Sequence, residues 1–580
     1  MTWLALMAAN LIIFLLIMLA MGMPISRSSE EFDLLWALDL VVTLMFFLVL
    51  VLRWIFQWRN FKRSLFFLAC VATLVGLFYA EEDWRGRHDW EQFKRAEEAK
   101  GEKLDFEDFI PPAVPDEQNF AMSPICVAEV RQVSGVPISK KWYGDQIYSQ
   151  AVSNLMPMLP VQLSGLTGTN CWSAANAQPD LASWNHKTNL VDLRLWQKYY
   201  RGLAETNPAV GIAVTPQPQT PAADVLLALS KYERAIDAER EASHLPFSRF
   251  PVSYDDANPA LVWLPHLAVV RRHCQVLHLR AVAELAEDRP SAALADAQLM
   301  GYLINSVRDE PFPISQAVRA ICAADLVQVV GQGLAGRRWT PPQLADLDAE
   351  LASLDFLSDV RRAMKGEAAF ETAEISFFRR TRNFDEPNIF VNNGPDLVYL
   401  SKFVQHGTPG GWFYESARRH CQFIAQHFLP TVDPLAKTVS SKQFDLAIRA
   451  ARANLSIWDP LSVLDFQWGQ NRGEWLRDVI TAQAVVDLAR TAMALERYRL
   501  AKGEYPEALS GLAPQFIANV PQDIFGGAPL HYRRTDVGQF VLYSVGWNEQ
   551  DDGGVVVFKK GSTPEADLDQ GDWVWRYPAK

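Results

Sequence analysis

Residues 267–307 read LAVVRRHCQVLHLRAVAELAEDRPSAALADAQLMGYLINSV, and this stretch decides the fold class. On either side of Asp288-Arg289-Pro290, apolar residues recur every three or four positions, which is the period of one face of an amphipathic helix. These positions are Leu267, Val270, Cys274, Leu277, Ala281 and Leu285, then Leu294, Ala297, Met300, Ile304 and Val307. The stretch therefore predicts a helical hairpin, and residues 221–470 are predicted to form a helical body of such hairpins.

The sequence that follows the hairpin continues the helical pattern. Prolines at 311 and 313 separate it from a predicted helix over 317–330. Thr340-Pro341-Pro342-Gln343 has the residues of a capped helix start, with Thr as N-cap and Gln three positions later. Between them, Gly331-x-Gly333-x-x-Gly336 matches the dinucleotide fingerprint as a string, but a helix precedes it where that site needs a strand. We interpret these glycines as the C-terminal end of a helix.

Upstream of the body, residues 81–220 are predicted to form a stalk and a mixed region. Residues 84–109 are rich in charge and helix-like, and TPQPQTP at 215–221 has the composition of a linker. The part from about 120 to 215 shows no clear period. The elements of this part stay open.

The first eighty residues are predicted to be a transmembrane anchor. Three apolar runs, at 3–23, 34–52 and 64–80, approach the ~20 helical residues that cross a ~30 Å hydrocarbon layer. No Lys or Arg precedes the first run and it is long, so a cleaved signal peptide fits poorly. Asp39 is the one ionisable residue inside a run, and with no second intramembrane charge to pair with it we expect an interfacial position rather than an ion relay.

The basic residues of the short loops predict the orientation of this anchor. Arg53, Arg59, Lys62 and Arg63 crowd the second connection, whereas the first holds only Arg27. The positive-inside rule therefore puts the second connection in the cytoplasm. Three crossings then leave the large domain extracytoplasmic, at a bacterial inner (cytoplasmic) membrane.

Composition and motifs argue against several classes of function. The formal net charge of −12 and the lack of a basic stripe in the sequence argue against a nucleic-acid partner, because such a protein needs a basic surface. The pairs His273/His278 and His420/His427 lack the i, i+4 spacing of a zinc clasp, and we interpret them as core or surface residues. The motifs HExxH, GxSxG and SxxK and the phosphate-binding loop do not occur. The sequence therefore favours a protein that is not an enzyme.

The six cysteines are spaced too irregularly for a zinc or dithiol motif. We interpret them mainly as small buried residues. A single disulfide, such as Cys126 with Cys171, stays open if the domain lies in an oxidising compartment.

The last 110 residues, 471–580, are predicted to form a small α+β module. TAQAVVDLARTAMALERYRLAKGEYPEAL (481–509) indicates a long helix that ends near Gly503. The alternating segments LHYRR (530–534) and QFVLYSV (539–545) then predict a β-hairpin, and an acid-rich tail follows.

This module resembles the C-terminal part of the major pseudopilin of type II secretion systems. The likeness spans about 95 residues and rests on ALERYRLAKGEYP (494–506), the Asp523-x-Phe525-Gly526 turn, LYSVG (542–546) and Asp552-Gly-Gly. The resemblance implies a structural calcium site in the loop after LYSVG. Its candidate ligands here are Asp551, Asp552, Asp567, Asp569 and Asp572, since calcium prefers several carboxylate and carbonyl oxygens. The alternative is an acidic, solvated tail.

Two departures from the pseudopilin pattern limit what the resemblance implies. The loop between Gly554 and Asp567 is longer and carries Lys559 and Lys560. An internal helix also stands where a pseudopilin has its membrane helix, so we do not expect this chain to polymerise. The rest of the chain, including GEKLDFEDFIPPAVPDEQNF (101–120), resembles large membrane-anchored bacterial proteins that end in such a module, which implies an architecture and no activity.

Together these observations predict a mainly α protein with three N-terminal transmembrane helices, a helical-hairpin body and a pseudopilin-like α+β end. The leading functional hypothesis is a membrane-anchored extracytoplasmic scaffold or binding protein of the bacterial envelope, with a protein partner and a link to secretion. The alternative is an envelope hydrolase with catalytic acids in the helical body.

Overall fold

The structure is a computed structural model, and it is mainly helical, with 65% helix and 8% strand. By its internal contacts the chain divides into two units, Met1–Arg85 and Gly86–Lys580. The residues that the structure describes are 45, 49, 58–124, 126, 190–208, 211–254, 259, 262, 264–382, 407–453, 474–536, 538–560 and 565–575. The small sheets lie near the C-terminus, as predicted.

In the first unit the described residues, apart from Met45 and Val49, belong to one helix. Helix α1 (Trp58–Glu98) contains the third predicted apolar run, 64–80, and continues beyond it into the second unit. Its stretch from Phe61 is long and apolar enough to cross a membrane, and none of its most apolar window is buried. The runs predicted at 3–23 and 34–52 lie outside the described residues, apart from Met45 and Val49, which are helical and exposed.

In the second unit, the end of α1 and the chain that follows it pack on the body. Gly86 lies directly against the backbone of Gly411, because a Cβ at Gly86 would come within 2.2 Å of the Gly411 carbonyl oxygen. Phe106 then packs on Phe312 and Phe370, with ring centroids 6.0 and 5.2 Å apart. The predicted stalk is therefore helical up to Glu98, and the residues just after it are part of the body's core.

The body is built of helices packed on their sequence neighbours. The apolar positions predicted for α5 are all buried, and so are those of α6 apart from the half-buried Leu294. Helix α5 is buried on its other faces as well, because it lies inside the body. Helix α5 packs on α6 and α7, which confirms the helical hairpin. The helices are α2 (Leu193–Thr206), α3 (Pro221–Leu229), α4 (Glu233–Ala242), α5 (Pro265–Ala286), α6 (Pro290–Ser306), α7 (Pro313–Ala335), α8 (Pro341–Ala352), α9 (Phe356–Thr381), α10 (Gly410–Phe423), α11 (Ser441–Ala453) and α12 (Glu474–Lys502).

Local signals place several helix ends where the sequence predicted them. Helix α7 ends at Ala335 with Gly336 as its C-cap, so the glycine string is a helix terminus. Gly333 allows Trp339 to lie on the helix, since a Cβ there would come within 2.0 Å of the indole nitrogen. Thr340 and Gln343 form the predicted capping box at the start of α8. Thr220 caps α3 through a hydrogen bond from the backbone N–H of Ala223.

Helix α12 connects the body to the C-terminal sheets. It packs on α7, α8 and α9 and also contacts the sheet strands. Its residues Val479, Ile480, Ala489 and Met493 are fully buried. The C-terminal part of the chain therefore shares its core with the body, and the domain divisions predicted at 220 and 470 stay predictions.

The C-terminal strands form two small antiparallel sheets. Strands β3 (His531–Arg534) and β4 (Phe540–Ser544) pair as the predicted hairpin, and β4 also pairs with β7 (Trp573–Trp575). Strands β5 (Val556–Phe558) and β6 (Ala566–Gly571) form the second pair. A two-stranded ladder of β1 (Val432–Asp433) and β2 (Thr438–Val439) precedes α11 and touches the turn at Phe525.

Candidate functional site

The Asp523-x-Phe525-Gly526 turn is a buried structural junction. The Asp523 carboxylate accepts hydrogen bonds from the backbone N–H of Phe525 at 3.0 Å, the Ser544 hydroxyl at 2.8 Å and the backbone N–H of Val545 at 2.8 Å. Burial raises the pKa of Asp523, and these hydrogen bonds oppose the shift. The carboxylate therefore ties the turn to the end of the LYSVG strand.

Asp572 is placed at the centre of the acidic loop. Its carboxylate accepts hydrogen bonds from the backbone N–H groups of Asp552 at 3.2 Å, Gly554 at 2.6 Å and Val555 at 3.3 Å. Gly553 and Gly554 have positive φ angles of 76° and 82°, which turn these N–H groups toward one point and explain the paired glycines. Burial raises the pKa of Asp572 and the three N–H donors lower it.

Asp551 and Asp552 lie in the same loop but make separate contacts. The Tyr543 hydroxyl donates to Asp551 Oδ1 at 2.9 Å, and His531 Nδ1 lies 3.4 Å from Asp551 Oδ2. The backbone N–H of Gly553 donates to the same carboxylate and is the main cause that lowers the pKa of Asp551. Asp552 accepts from the Asn548 side chain at 2.9 Å. The loop is thus held by hydrogen bonds between its own residues.

Asp567 and Asp569, the other two predicted ligands, lie on β6. Asp567 accepts from the backbone N–H of Asp569 at 3.1 Å, and Asp569 forms an ion pair with Arg477. In the part of the chain that the structure describes, no three His, Cys, Asp or Glu side chains form a group able to hold a metal ion. The five aspartates are therefore not preassembled around a cation, and the calcium site stays a prediction.

Histidines of the body form buried pairs with carboxylates, which sequence reasoning did not identify. His266 Nε2 lies 2.6 Å from Glu310 Oε1, and the Ser315 hydroxyl donates to the other oxygen of Glu310 at 2.5 Å. His273 makes the same kind of contact with Glu239 at 2.5 Å. Because the partners come from other elements, only the seven-residue spacing of the two histidines on α5 was visible in the sequence.

A second histidine environment lies between α9 and α10. His420 Nε2 is 2.6 Å from Glu371 Oε2, and both side chains are buried. Glu374 lies one turn further along α9, and burial together with Glu371 and Glu367 raises its pKa well above the usual range. A π-helical turn, Ile424–Phe428, follows α10 directly. A histidine beside a carboxylate can orient and move a proton, so this cluster is the body's candidate acid–base site.

A third buried polar cluster surrounds Asp359. Its carboxylate accepts from Arg308 at 3.0 Å, Arg319 at 2.9 Å and Arg362 at 3.2 Å. Arg319 is fully buried and also donates to the Ile304 carbonyl oxygen at 2.9 Å. This network joins α6, α7 and α9, and each buried charge in it has a partner, so removing one member would leave the others uncompensated.

No family model matches this chain, and neither the curated proteins nor the solved structures contain a match to it. The resemblance of the C-terminal module to a pseudopilin therefore rests on its sequence motifs alone.

Proposed function

We propose that this protein is a membrane-anchored scaffold or binding protein of the bacterial envelope, with its helical body outside the cytoplasm. The observation that supports this proposal is the apolar part of α1. Its side chains are exposed on all sides, including Phe66 at 72%, Phe67 at 70% and Leu74 at 66%. Transferring side chains of this size from water to an apolar phase stabilises by about 1.5–3 kcal/mol each, so lipid is the solvent that fits this helix.

The orientation in the proposal follows from sequence. With three spans, at 3–23, 34–52 and 64–80, the basic residues Arg53, Arg59, Lys62 and Arg63 fall on the cytoplasmic side and the body on the opposite side. The scaffold or binding role is supported by the mainly helical body, whose helices offer broad surfaces to a protein partner. The pseudopilin-like end suggests that this partner belongs to a secretion apparatus.

Topology is the first test of the proposal. Alkaline phosphatase and green fluorescent protein, fused in turn to the C-terminus of the full chain, report extracytoplasmic and cytoplasmic locations. We expect phosphatase activity without fluorescence, in a fraction that resists alkaline extraction from membranes. Replacing the four basic residues of the second connection by Ala should reduce the phosphatase signal, whereas replacing Arg27 should not. Fluorescence of the unmodified fusion would contradict the orientation.

The partner is tested by cross-linking in intact cells and quantitative recovery from native membranes. A variant that lacks residues 471–580 loses α12 and would expose the body's core, so point substitutions on the surface are the better comparison. Leu435 and Leu446, at 97% and 61% exposure, are suitable positions. Recovery of no stable partner by the full chain would count against a scaffold.

Calcium binding by the C-terminal loop is a separate part of the proposal. A thermal melt of the full chain in detergent, in calcium and then in EDTA, tests it, with Asp551→Asn and Asp572→Asn as variants. A ligand at a hundred times its dissociation constant adds about 2.7 kcal/mol to the stability of the folded state. Equal melting temperatures in calcium and in EDTA would contradict calcium binding. The aspartates would then have only the hydrogen bonds described above.

An envelope hydrolase is the second candidate function, and the cluster of Glu371, Glu374 and His420 favours it. A carboxyl with a raised pKa beside a histidine–carboxylate pair has the groups that acid–base hydrolysis requires. Hydrolysis of a panel of chromogenic esters and glycosides by the purified chain tests this candidate. Activity that is lost in Glu371→Gln and His420→Gln but kept in Glu310→Gln would support it. Equal turnover by all three variants would rule it out.

A further inference from the structure

Two neighbouring core helices bring a pair of cysteines together. Helices α5 and α7 pack side by side, and α6 connects the C-terminal end of α5 to the N-terminal end of α7. Cys274 on α5 and Cys322 on α7 are both fully buried, and burial, followed by the neighbouring Cys322 side chain, raises the pKa of the Cys274 thiol. Both residues are thiols in this structure. The two side chains are therefore neighbours that are not bonded to each other.

A second contact one turn further along shows that this pairing follows from the register of the two helices. His278, four residues after Cys274, has its Nδ1 atom 3.4 Å from Oδ1 of Asp325, which is three residues after Cys322. Positions three or four apart on a helix lie on the same face. The two pairs thus succeed one another along a parallel helix pair, and helix packing rather than one side-chain rotamer holds the thiols together.

We propose that Cys274 and Cys322 are a disulfide-forming pair that cross-links α5 to α7 when the protein folds in its proposed extracytoplasmic compartment. This inference rests on the proposed location, because that compartment supplies the oxidant, a protein disulfide of the thiol-oxidase class. One cysteine thiolate attacks the oxidant's disulfide, and the second thiolate displaces the oxidant from the mixed disulfide. Two S–H bonds of the protein are replaced by one S–S bond, the S–S bond of the oxidant is broken, and the two protons pass to the oxidant's sulfurs, so that it leaves as its dithiol.

The timing of the reaction follows from burial. The thiolate is the attacking species, and burial raises the pKa of the Cys274 thiol well above its usual value, so the folded protein holds it as an unreactive thiol. An external oxidant also has no access to side chains of zero exposure. The disulfide therefore forms while the chain folds, before α5 and α7 close on each other, and the packed core then protects it from reductants.

Other cysteines serve as controls. Cys421 is also buried, but its described contact is with the Thr372 hydroxyl at 3.4 Å. Cys70 is exposed on the apolar part of α1. A reaction that selects Cys274 and Cys322 over these two would reflect their pairing rather than burial or accessibility alone.

The first experiment tests the pair independently of location. The full chain is reduced and denatured, then refolded into detergent with a mixture of oxidised and reduced glutathione, alkylated and digested without reduction. We expect a peptide pair linked through Cys274 and Cys322 in the wild type and in Cys421→Ala, and its loss in Cys274→Ala and Cys322→Ala. The wild type refolded with the glutathione mixture should also melt several degrees higher than the wild type refolded in reductant, whereas each of the two single variants should melt at the same temperature after either refolding. Refolded protein with native helical content that carries alkylated Cys274 and Cys322 would overturn the proposal.

The second experiment tests the pair in cells. Free thiols are blocked in denaturant with a maleimide that adds mass, before and after reduction. We expect the full chain to gain two additional labels only after reduction, and Cys274→Ala to gain none from this pair. If the phosphatase fusion places the body outside the cytoplasm and both thiols are nevertheless labelled without reduction, the proposal is wrong. If the fusion places the body in the cytoplasm, the proposed function fails, and the refolding experiment alone decides whether the pair can bond.

Discussion

Two helices of this chain meet the same length and composition test for a membrane span, yet they lie in different surroundings. In the stretch of α1 from Phe61, none of the most apolar window is buried, whereas 67% of the corresponding window in α7 (Pro313–Ala335) is buried within the body. Hydropathy alone therefore does not distinguish an anchor from a core helix. Whether other elements of the protein pack against a helix determines whether it lies in a protein core or is available to lipid.

The polar residues of the two helices make the difference explicit. Helix α7 carries Ser315, Gln316 and Arg319, all fully buried, and each donates a hydrogen bond to a group on the protein. Residues 64–80 of α1 contain no charged side chain. A core helix can contain polar side chains because neighbouring elements form hydrogen bonds with them. A helix in lipid has few such partners around it. We therefore expect substitutions that remove a partner of a buried charge to destabilise the body, and substitutions that place a charge in α1 to affect membrane insertion.

The largest effect should come from removing the partner of a buried charge beside α7. Asp359→Ala leaves Arg319 in the core without its carboxylate, and the loss of one member of a buried ion pair costs about 3–5 kcal/mol. The full chain in detergent should show this as a lower urea midpoint by circular dichroism. Asp309→Ala, at a side chain that is 72% exposed, is the matched control and should change stability by less than about 0.5 kcal/mol. Equal midpoints for the two variants would show that the arginine cluster does not stabilise the core.

The converse change places a charge in the apolar part of α1. Leu74→Arg should oppose membrane insertion by about 2.5–3.5 kcal/mol, and Leu74→Ala should have little effect. Phosphatase activity of the C-terminal fusion should fall in the Arg variant, because the third crossing fails and the body is retained inside. The urea midpoint of the body should stay unchanged. A lower midpoint would indicate that this part of α1 belongs to a protein core.

Much of the fold could be predicted because its signals are local. The hairpin of α5 and α6, the glycine cap of α7, the Thr340 capping box and the β3–β4 hairpin each depend on residues within a few positions of one another. The apolar period or the capping residues of each of these elements lie within one segment of the sequence. The packing of α12 against α7, α8 and α9 joins residues more than a hundred positions apart, and no local pattern announces it.

The candidate sites were harder to predict for the same reason. Asp572 contacts the loop of Asp551 and Asp552, but it does so through backbone N–H groups, which carry no sequence signature. The contact of His420 with Glu371 joins two helices across an intervening segment. Since a titratable residue becomes a site only through such partners, composition and spacing did not identify it.

The pH dependence of stability should distinguish the body from the anchor by a smaller difference in free energy than the two substitutions above. Burial raises the pKa of Asp487 on α12 to about 6, against the hydrogen bond from Gln483 and the charge of Arg490. A folded-state pKa above the unfolded value means that the folded protein holds a proton which the unfolded chain has lost. Stability is therefore greatest below the unfolded pKa and falls as the pH rises to about 6.

The variant Asp487→Asn isolates this contribution from other groups that titrate in the same range. Measured by urea unfolding from about pH 4 to about pH 7, its stability relative to the wild type should rise by roughly 2–3 kcal/mol and then become constant. Membrane extraction should be the same for variant and wild type at each pH, because Asp487 lies outside the predicted anchor. A constant difference between variant and wild type across the range would mean that Asp487 ionises normally in the folded state.

The smallest expected change in stability comes from replacing one glycine in each helix. A Cβ at Gly333 of α7 would overlap the indole of Trp339, whose nitrogen donates to the Val330 carbonyl oxygen, whereas a Cβ at Gly76 of α1 meets no atom within 4 Å. Gly333→Ala should lower the free energy of unfolding by about 1–2 kcal/mol, since overpacking outweighs the gain of up to ~1 kcal/mol in helix propensity. Gly76→Ala should leave the unfolding of the body unchanged and keep the protein in the membrane fraction. Quenching of the Trp339 fluorescence provides a local readout, with Trp339→Phe as the variant that identifies its signal. If Gly333→Ala were as neutral as Gly76→Ala, α7 would not be packed as a core helix, and the distinction between the two helices would fail at the position where the space is tightest.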